Sequence, residues 1–284
     1  MKFGILIFPT DTTMQPIELA RTCERLGFDS LWLPEHSHIP TSRITPWGGR
    51  EGAPPLPEHY WRTHDAFVAL GAAAAVTERL KLGTGITRLA KRDPLWTAKE
   101  VASLDLISGG RLQFGIGYGW NKEEMASHGV RYTERRALLR EKVLMMKQVW
   151  TEEVASYQGE HLSLEPSWAW PKPIQQPHPP ILMGGSAGPK TIADMVEFCD
   201  GWMPLMGRHS IETLPGLRRA LEDAGRDPSA FLLYASAVRH DRDSIERVAE
   251  AGFGQALFIV PSEPPDRVEE RLEHLASLAS ELRG

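Results

Sequence analysis

Cysteine is nearly missing from this chain: Cys23 and Cys199 are the only two in 284 residues. A disulfide-stapled scaffold needs more, so the fold must rest on a buried apolar core. Two thiols at apolar helix positions read as buried residues of a reducing cytosol. Long apolar runs are missing too. The longest, residues 66–76 (AFVALGAAAAV), falls well short of the ~20 residues that a membrane span needs. The opening MKFGILIFPTD has neither the apolar length nor the small-residue cleavage site of a secretory signal. Positive charge is not in excess: 32 Lys and Arg against 37 Asp and Glu leave a net charge of −5. That argues against the basic footprint of a nucleic-acid binder. The expectation is a soluble, cytoplasmic protein with no nucleic-acid and no membrane partner.

What is present is a strict alternation. Short apolar runs fall at residues 3–8, 30–33, 80–85, 112–117, 181–183, 202–205, 231–238 and 256–260. Segments of helical period separate them. Ile17, Ala20 and Cys23 follow Pro16 and stop at Gly27; a helix is expected over residues 63–78; Leu95, Ala98, Val101 and Ala102 follow Asp93-Pro94; Leu139, Val143, Met146 and Trp150 mark another. The runs are continuously apolar rather than alternating, as in a parallel sheet covered by helices. Eight such units predict an α/β fold, a single (β/α)8 TIM barrel forming one domain over residues 1–284. Two irregular insertions interrupt it, residues 37–62 after strand 2 and residues 151–179 before strand 5. A doubly wound open sheet would place G-x-G-x-x-G directly after its first strand, and that turn here reads PTDTT.

Barrel chemistry sits at the C-terminal ends of the strands, which selects a short set of residues. Glu35 and His36 follow directly on the run SLWL, where a histidine can serve as general acid or orient a ring. His36 and His38 form an H-x-H pair of the kind metal hydrolases use. The tips of strands four, five and eight supply no further ligands, so no metal site is expected. Tips three to five are rich in glycine, which lets a flat ring or a phosphate approach the backbone. The turn Gly184-Gly185-Ser186-Ala187-Gly188 before Pro189 suits a phosphate cradle at a helix start, and equally an ordinary strand-to-helix turn. Trp47, Tyr60, Trp61, Trp168 and Trp170 crowd the two insertions, either lining an apolar pocket or covering barrel ends. The paired carboxylates of a glycosidase are not evident, Glu35 having no obvious partner.

Read in order, several stretches carry a specific resemblance. They are MKFGILIF, GFDSLWLPEH, LKLGTGITRLAKRDPLWTAKEVASLDLISGGRL, FGIGYGWNKEEMASHGV, PKPIQQPHPPILMGGS and Asp200-Gly201-Trp202. The chain resembles the bacterial-luciferase-like oxidoreductases, the luciferase-like monooxygenase superfamily, and within them the group dependent on the deazaflavin coenzyme F420. The resemblance spans nearly the whole chain. It implies the same barrel, an F420 cofactor (FMN being the alternative), a small-molecule substrate and a homodimer. It places the catalytic pair at Glu35 and His36. It matches Gly85-Ile86 to a non-proline cis peptide that bulges behind the ring, flanked by Thr84 and Thr87. Gly117, Tyr118, Gly119 and Trp120 match a segment along the ring edge or tail, and Gly184, Gly185, Ser186 and Ala187 match the phosphate turn. Sugar-phosphate dehydrogenases of the family carry a carboxylate about where Trp120 stands, so that subclass is not expected, and the proton donor becomes His36 or the substrate itself. The implied activity is hydride transfer between F420 and a small organic substrate. An FMN-dependent monooxygenase on the same scaffold and a non-catalytic flavin-binding barrel are the alternatives. Residues 37–62, 151–179 and 206–210 are expected to shape the substrate pocket.

Overall fold

The computed structural model describes residues 1–207 and 209–283. Its strands are β1 (Lys2–Leu6), β2 (Ser30–Leu33), β3 (Lys81–Thr84), β4 (Leu112–Ile116), β5 (Ala155–Gln158), β6 (Ser163–Ser167), β7 (Ile181–Gly184), β8 (Gly201–Met203), β9 (Leu232–Ser236) and β10 (Gln255–Ile259). Its helices are α1 (Pro16–Arg25), α2 (His59–Arg62), α3 (Ala66–Ala74), α4 (Pro94–Ile107), α5 (Lys122–Ser127), α6 (Arg135–Thr151), α7 (Pro189–Phe198), α8 (Leu214–Asp223), α9 (Arg242–Glu250) and α10 (Pro265–Arg283). All strands except β5 and β6 close into one parallel barrel in the order β1-β10-β9-β8-β7-β4-β3-β2. The alternation of apolar runs and helical segments therefore becomes a (β/α)8 barrel, with each strand next to its successor.

Two apolar layers hold it. Outward-facing strand residues such as Phe3, Ile5, Leu31, Leu33 and Phe114 pack against helix residues such as Leu19, Leu70, Val101 and Val143. Inside the barrel, Leu6, Trp32, Leu182, Met203 and Leu257 fill the axis. Below them, at the strand starts, lies a satisfied polar layer. The Trp32 indole N–H donates to Ser30 Oγ at 2.7 Å, Gln255 donates to the same hydroxyl, and the Tyr234 hydroxyl donates to Gln113 at 2.9 Å.

The structure departs from the sequence expectations in three places. The helix expected over 63–78 contracts to α3, because the Asp65 carboxylate caps it by accepting the Val68 N–H at 2.9 Å. Thr63 is drawn instead into a bridge with Thr10. The insertion at 151–179 is not wholly irregular: β5 and β6 pair as an antiparallel hairpin. Its turn is organised by the buried Glu141 carboxylate, which accepts the N–H groups of Glu160, His161 and Leu162 at 2.9, 3.0 and 2.9 Å. A mostly polar strand pair held by a carboxylate from another element leaves no period-2 apolar signal. Finally, that insertion does not shape a pocket at the barrel mouth. The hairpin packs instead on the outer side of α4 and α6, where Leu164, Trp168 and Ala169 line a cleft with Leu95, Ala98 and Trp150, and the chain then descends to the strand starts. Gln175 accordingly donates to the Leu112 carbonyl at the start of β4 at 2.8 Å.

Candidate active site

The tips of β2, β3 and β4 meet in a buried charged network. Glu35 and His36, directly beyond β2, are 3% and 5% exposed. Both Glu35 oxygens are engaged, one by Arg92 Nη1 at 2.7 Å and the other by the Arg88 backbone N–H at 3.3 Å. Arg88, beyond β3, donates through Nε to the Glu35 carbonyl at 2.8 Å and through Nη2 to His36 Nε2 at 2.6 Å. On the other side, His36 Nδ1 meets Glu124 Oε2 at 2.8 Å. Lys91 and the Ser37 N–H, the latter at 3.2 Å, hold the remaining Glu124 oxygen. From below, buried Lys142 of α6 fixes the β3–α4 connection by donating to the carbonyls of Ala90 and Arg92 at 2.7 and 2.6 Å.

This arrangement settles the tautomer of His36. A guanidinium can only donate, so Nε2 must accept, and the ring proton sits on Nδ1 facing Glu124. Burial, reinforced by the charge of Arg88, pushes the His36 pKa down to about 3 against the opposing pull of Glu124. The imidazole is therefore neutral at pH 7, an acceptor at Nε2 rather than an acid. Burial alone would raise Glu124, but the His36 N–H and the Lys91 ammonium hold it well below the usual carboxylate range. His38 turns away from His36 and instead meets the Ser37 hydroxyl at 3.0 Å.

The Gly85–Ile86 peptide bond is cis. The Ile86 side chain occupies space that only glycine leaves open on the two following barrel strands. A Cβ at Gly117 would lie 2.0 Å from Ile86 Cδ1, and one at Gly184 would lie 2.5 Å from Cγ2. The glycines at these tips are thus explained by close approach of a side chain. The Thr84 hydroxyl donates to the Gly115 carbonyl at 2.7 Å. The buried Thr87 hydroxyl has no partner among the described residues.

At the next tip, Tyr118 donates its phenolic proton to Asp194 of α7. Arg136 of α6 donates to the same carboxylate at 2.6 Å and lies 4.7 Å over the Tyr118 ring. Arg136 also reaches the Lys190 carbonyl in the first turn of α7 at 2.7 Å. That helix opens at Gly188 with no side chain accepting its free N–H groups, after Gly185 in a left-handed conformation (φ 94°). Ser186 and Lys190 are exposed beside it. Open backbone donors with a guanidinium and an ammonium alongside have the chemistry of a phosphate site.

Above the network stands an aromatic cluster. The Tyr60 ring centroid lies 5.1 Å from His36, 4.8 Å from Phe8 and 6.3 Å from Trp120, and Trp47 stands 5.8 Å from Tyr60. Trp120 meets His36 edge-on at 5.9 Å. Insertion 37–62 thus contributes to the mouth, whereas Trp168 and Trp170 lie exposed on the outer side of the barrel, beside Leu95 and Lys99 of α4. The loop at 206–210 includes Arg208, which lies outside the described residues. Sequence reasoning missed Arg88, Lys91, Arg92 and Glu124. For Glu124 a signal existed: Asn121 caps α5, and its side chain accepts the Glu124 N–H at 3.3 Å, which fixes the acidic first turn against the β4 tip.

Comparison with known proteins identifies the family and the fold. Residues 1–281 match the family described as luciferase-like monooxygenase. A protein of Mycobacterium tuberculosis described as uncharacterized is 38% identical over 280 residues, covering 98% of each chain. The F420-dependent glucose-6-phosphate dehydrogenase of Kineococcus radiotolerans is 30% identical over 274 residues, covering 93% of this chain and 75% of that one. Among solved structures, an F420-dependent secondary alcohol dehydrogenase in complex with an F420–acetone adduct superposes with a TM-score of 0.77 at 19% identity, covering 100% of this chain and 99% of that one. Monooxygenase RslO1 from Streptomyces bottropensis gives 0.81 at 21% identity over the whole of both chains.

Proposed function

The chain belongs to the luciferase-like monooxygenase family and is an oxidoreductase, and from that premise we propose that it is F420-dependent, transferring a hydride between the deazaflavin and a small organic substrate. One observation carries the reading. The Ile86 bulge on β3 and the uncapped start of α7 beyond β7 flank β4, which pairs with both strands. A planar ring and its phosphate tail can be held at once across those three tips. The 30%-identical F420-dependent relative favours the deazaflavin over FMN.

Thr84, Gly85, Ile86 and Thr87 would back the ring, with the orphaned Thr87 hydroxyl free for one of its polar atoms. Gly117, Tyr118, Gly119 and Trp120 would follow its edge. Gly184, Gly185, Ser186 and Ala187, with the α7 N–H groups and Arg136, would hold the phosphate. When bound, the deazaflavin supplies a two-electron hydride carrier. His36 takes the catalytic role at the mouth as a proton acceptor, Arg88 having to leave Nε2 before a substrate oxygen can meet it. Glu35, with both oxygens engaged by Arg88 and Arg92, positions that pair rather than touching substrate. Trp120 offers an indole donor and no titrating group. The carboxylate beside His36 is Glu124, not one at the Trp120 position, so the substrate we assign is not a sugar phosphate.

We also assign a homodimer. Helix α3 is apolar all round, and with α4 it leaves Val68, Leu95, Trp96, Leu106 and Ile107 exposed as a second copy would require. No helix among the described residues is long and apolar enough to cross a membrane, and two buried free thiols suit the cytoplasm we assign.

Fluorescence titration of the purified chain with F420 and with FMN tests the cofactor. Micromolar binding of F420 is expected, and binding of FMN alone overturns the proposal. His36→Ala should leave that affinity intact while abolishing turnover of a substrate found by screening alcohols and ketones. Loss of cofactor binding instead would make His36 a ligand of the ring.

A further inference from the structure

The hydrogen bonds of His36 do not end at Glu124. Ser37 Oγ lies 3.4 Å from Glu124 Oε1 and 2.8 Å from Nε2 of the exposed His128. It also meets His38 Nδ1 at 3.0 Å and accepts from Lys91 Nζ at 3.1 Å. A continuous file therefore runs from the buried imidazole to the surface: His36 Nδ1, Glu124, Ser37 Oγ, His128 Nε2. It opens on a polar cleft of about 450 Å³ on the outer side of the β2 and β3 tips, lined by Ser37, Lys91 and His128 among others. Glu35 and His36 form part of its wall, but the His36 side chain itself is fully buried, and Ile86, Gly117 and Gly184 do not line it.

Each member has the right chemistry. The Ser37 hydroxyl has one proton and three neighbouring acceptors, so a rotation redirects it. Lys91 donates to both Ser37 and Glu124 and fixes their spacing. His128, whose pKa is lowered by burial and by the charge of Lys91, is neutral at pH 7 and can receive a proton.

We propose that Ser37 and His128 form a proton relay that connects His36 to solvent through the side of the barrel. The inference deepens the function proposed above and rests on His36 being its proton-handling group. When Nε2 takes a proton from a substrate hydroxyl, the Nδ1–H bond breaks and an O–H bond forms on Glu124. A turn of the carboxyl group presents that proton to Ser37 Oγ. Ser37 accepts it while giving its own proton to His128 Nε2, which releases it to water. One proton enters at Nε2 and one leaves at His128, so charge balances without oxidant or reductant. Run backwards, the same file supplies a proton. A path separate from the mouth matters because cofactor and substrate would together exclude water from the mouth. Ser37 and His128 touch neither and act through His36, so they are positioning and relay residues.

The test needs neither cofactor nor substrate. In the full chain labelled with ¹⁵N-histidine, exchange of the His36 Nδ1 proton with water is read by NMR. Ser37→Ala and His128→Gln should each slow it by about tenfold or more, the low end of what a positioned proton-transfer group contributes. Ser37→Thr, which keeps the hydroxyl, should exchange at the wild-type rate. Added imidazole should restore exchange in His128→Gln but not in Ser37→Ala. Equal rates in the wild type and the alanine and glutamine variants overturn the relay, as does imidazole rescue of both variants alike. Unchanged thermal midpoints show that the variants fold. Because the cofactor titration is a separate measurement, failure of the relay and failure of the F420 assignment are distinguishable.

Discussion

Acidification tests the His36 network most directly. In the unfolded chain His36 titrates near 6.5, whereas burial and Arg88 hold it to about 3 in the fold. The folded pKa is depressed, so the unfolded state binds the extra proton. Stability is fully present above pH 6.5 and is lost as pH falls toward the folded value. Between pH 7 and pH 5 the unfolded chain gains most of one proton at this position and the folded chain almost none, which integrates to a loss of about 2 kcal/mol. Glu124, held low in the fold, contributes only below its own unfolded range of about 4.5 and leaves this window nearly untouched. The assay is urea unfolding of the wild type and His36→Gln at pH 7, 6 and 5. Glutamine can still donate toward Glu124 and accept from Arg88, but it cannot titrate. Half-buried His59 and His178 drift in the same direction and cancel in the comparison. The wild type should lose about 2 kcal/mol more than the variant on going from pH 7 to pH 5. A difference below about 0.5 kcal/mol, the size of the extrapolation error, refutes the neutral, buried imidazole.

Gly117→Ala should destabilise the fold by about 1–3 kcal/mol through contact with Ile86, and Ile86→Ala in the same chain should relieve most of the overpacking, as read by urea unfolding of the single and double variants. Arg136→Ala should weaken FMN or F420 binding by about tenfold, the worth of one charge-assisted hydrogen bond, and leave riboflavin binding unchanged because it has no phosphate; an equal loss for riboflavin would show that Arg136 acts only through Tyr118. Trp96→Asp should convert the dimer to monomer in sedimentation at micromolar concentration, and a wild type that is already monomeric refutes the α3–α4 interface.

The barrel was legible in the sequence because its determinants are local. Continuous runs such as Leu112–Ile116 and stripes such as Val101 and Val143 declare a covered parallel sheet wherever they occur. So was the set of strand tips, including Gly85-Ile86, whose cis bond the resemblance had implied. Partnership was not legible. Glu124 lies 88 positions from His36, and Arg88 lies 52. Nothing in either local sequence says that the two side chains grip opposite nitrogens of one ring. In the function proposed above, that grip turns His36 from the expected proton donor into an acceptor. The hairpin escaped for a similar reason: Glu141 organises it from an adjacent helix. That the hairpin lies along the outer side of α4 and α6 is likewise a fact of topology rather than composition.

The packed axis of the barrel has a kinetic consequence. Trp32 and its neighbours fill the interior above the layer of Ser30, Gln113, Tyr234 and Gln255, so nothing enters or leaves through the floor. All traffic of molecules passes one doorway, and whatever lies deepest must arrive first and depart last. Steady-state kinetics should therefore follow a compulsory order, cofactor before substrate and product before spent cofactor. A substrate analogue should bind measurably only to the loaded protein. A plugged cylinder, in this sense, writes the sequence of events at its own mouth.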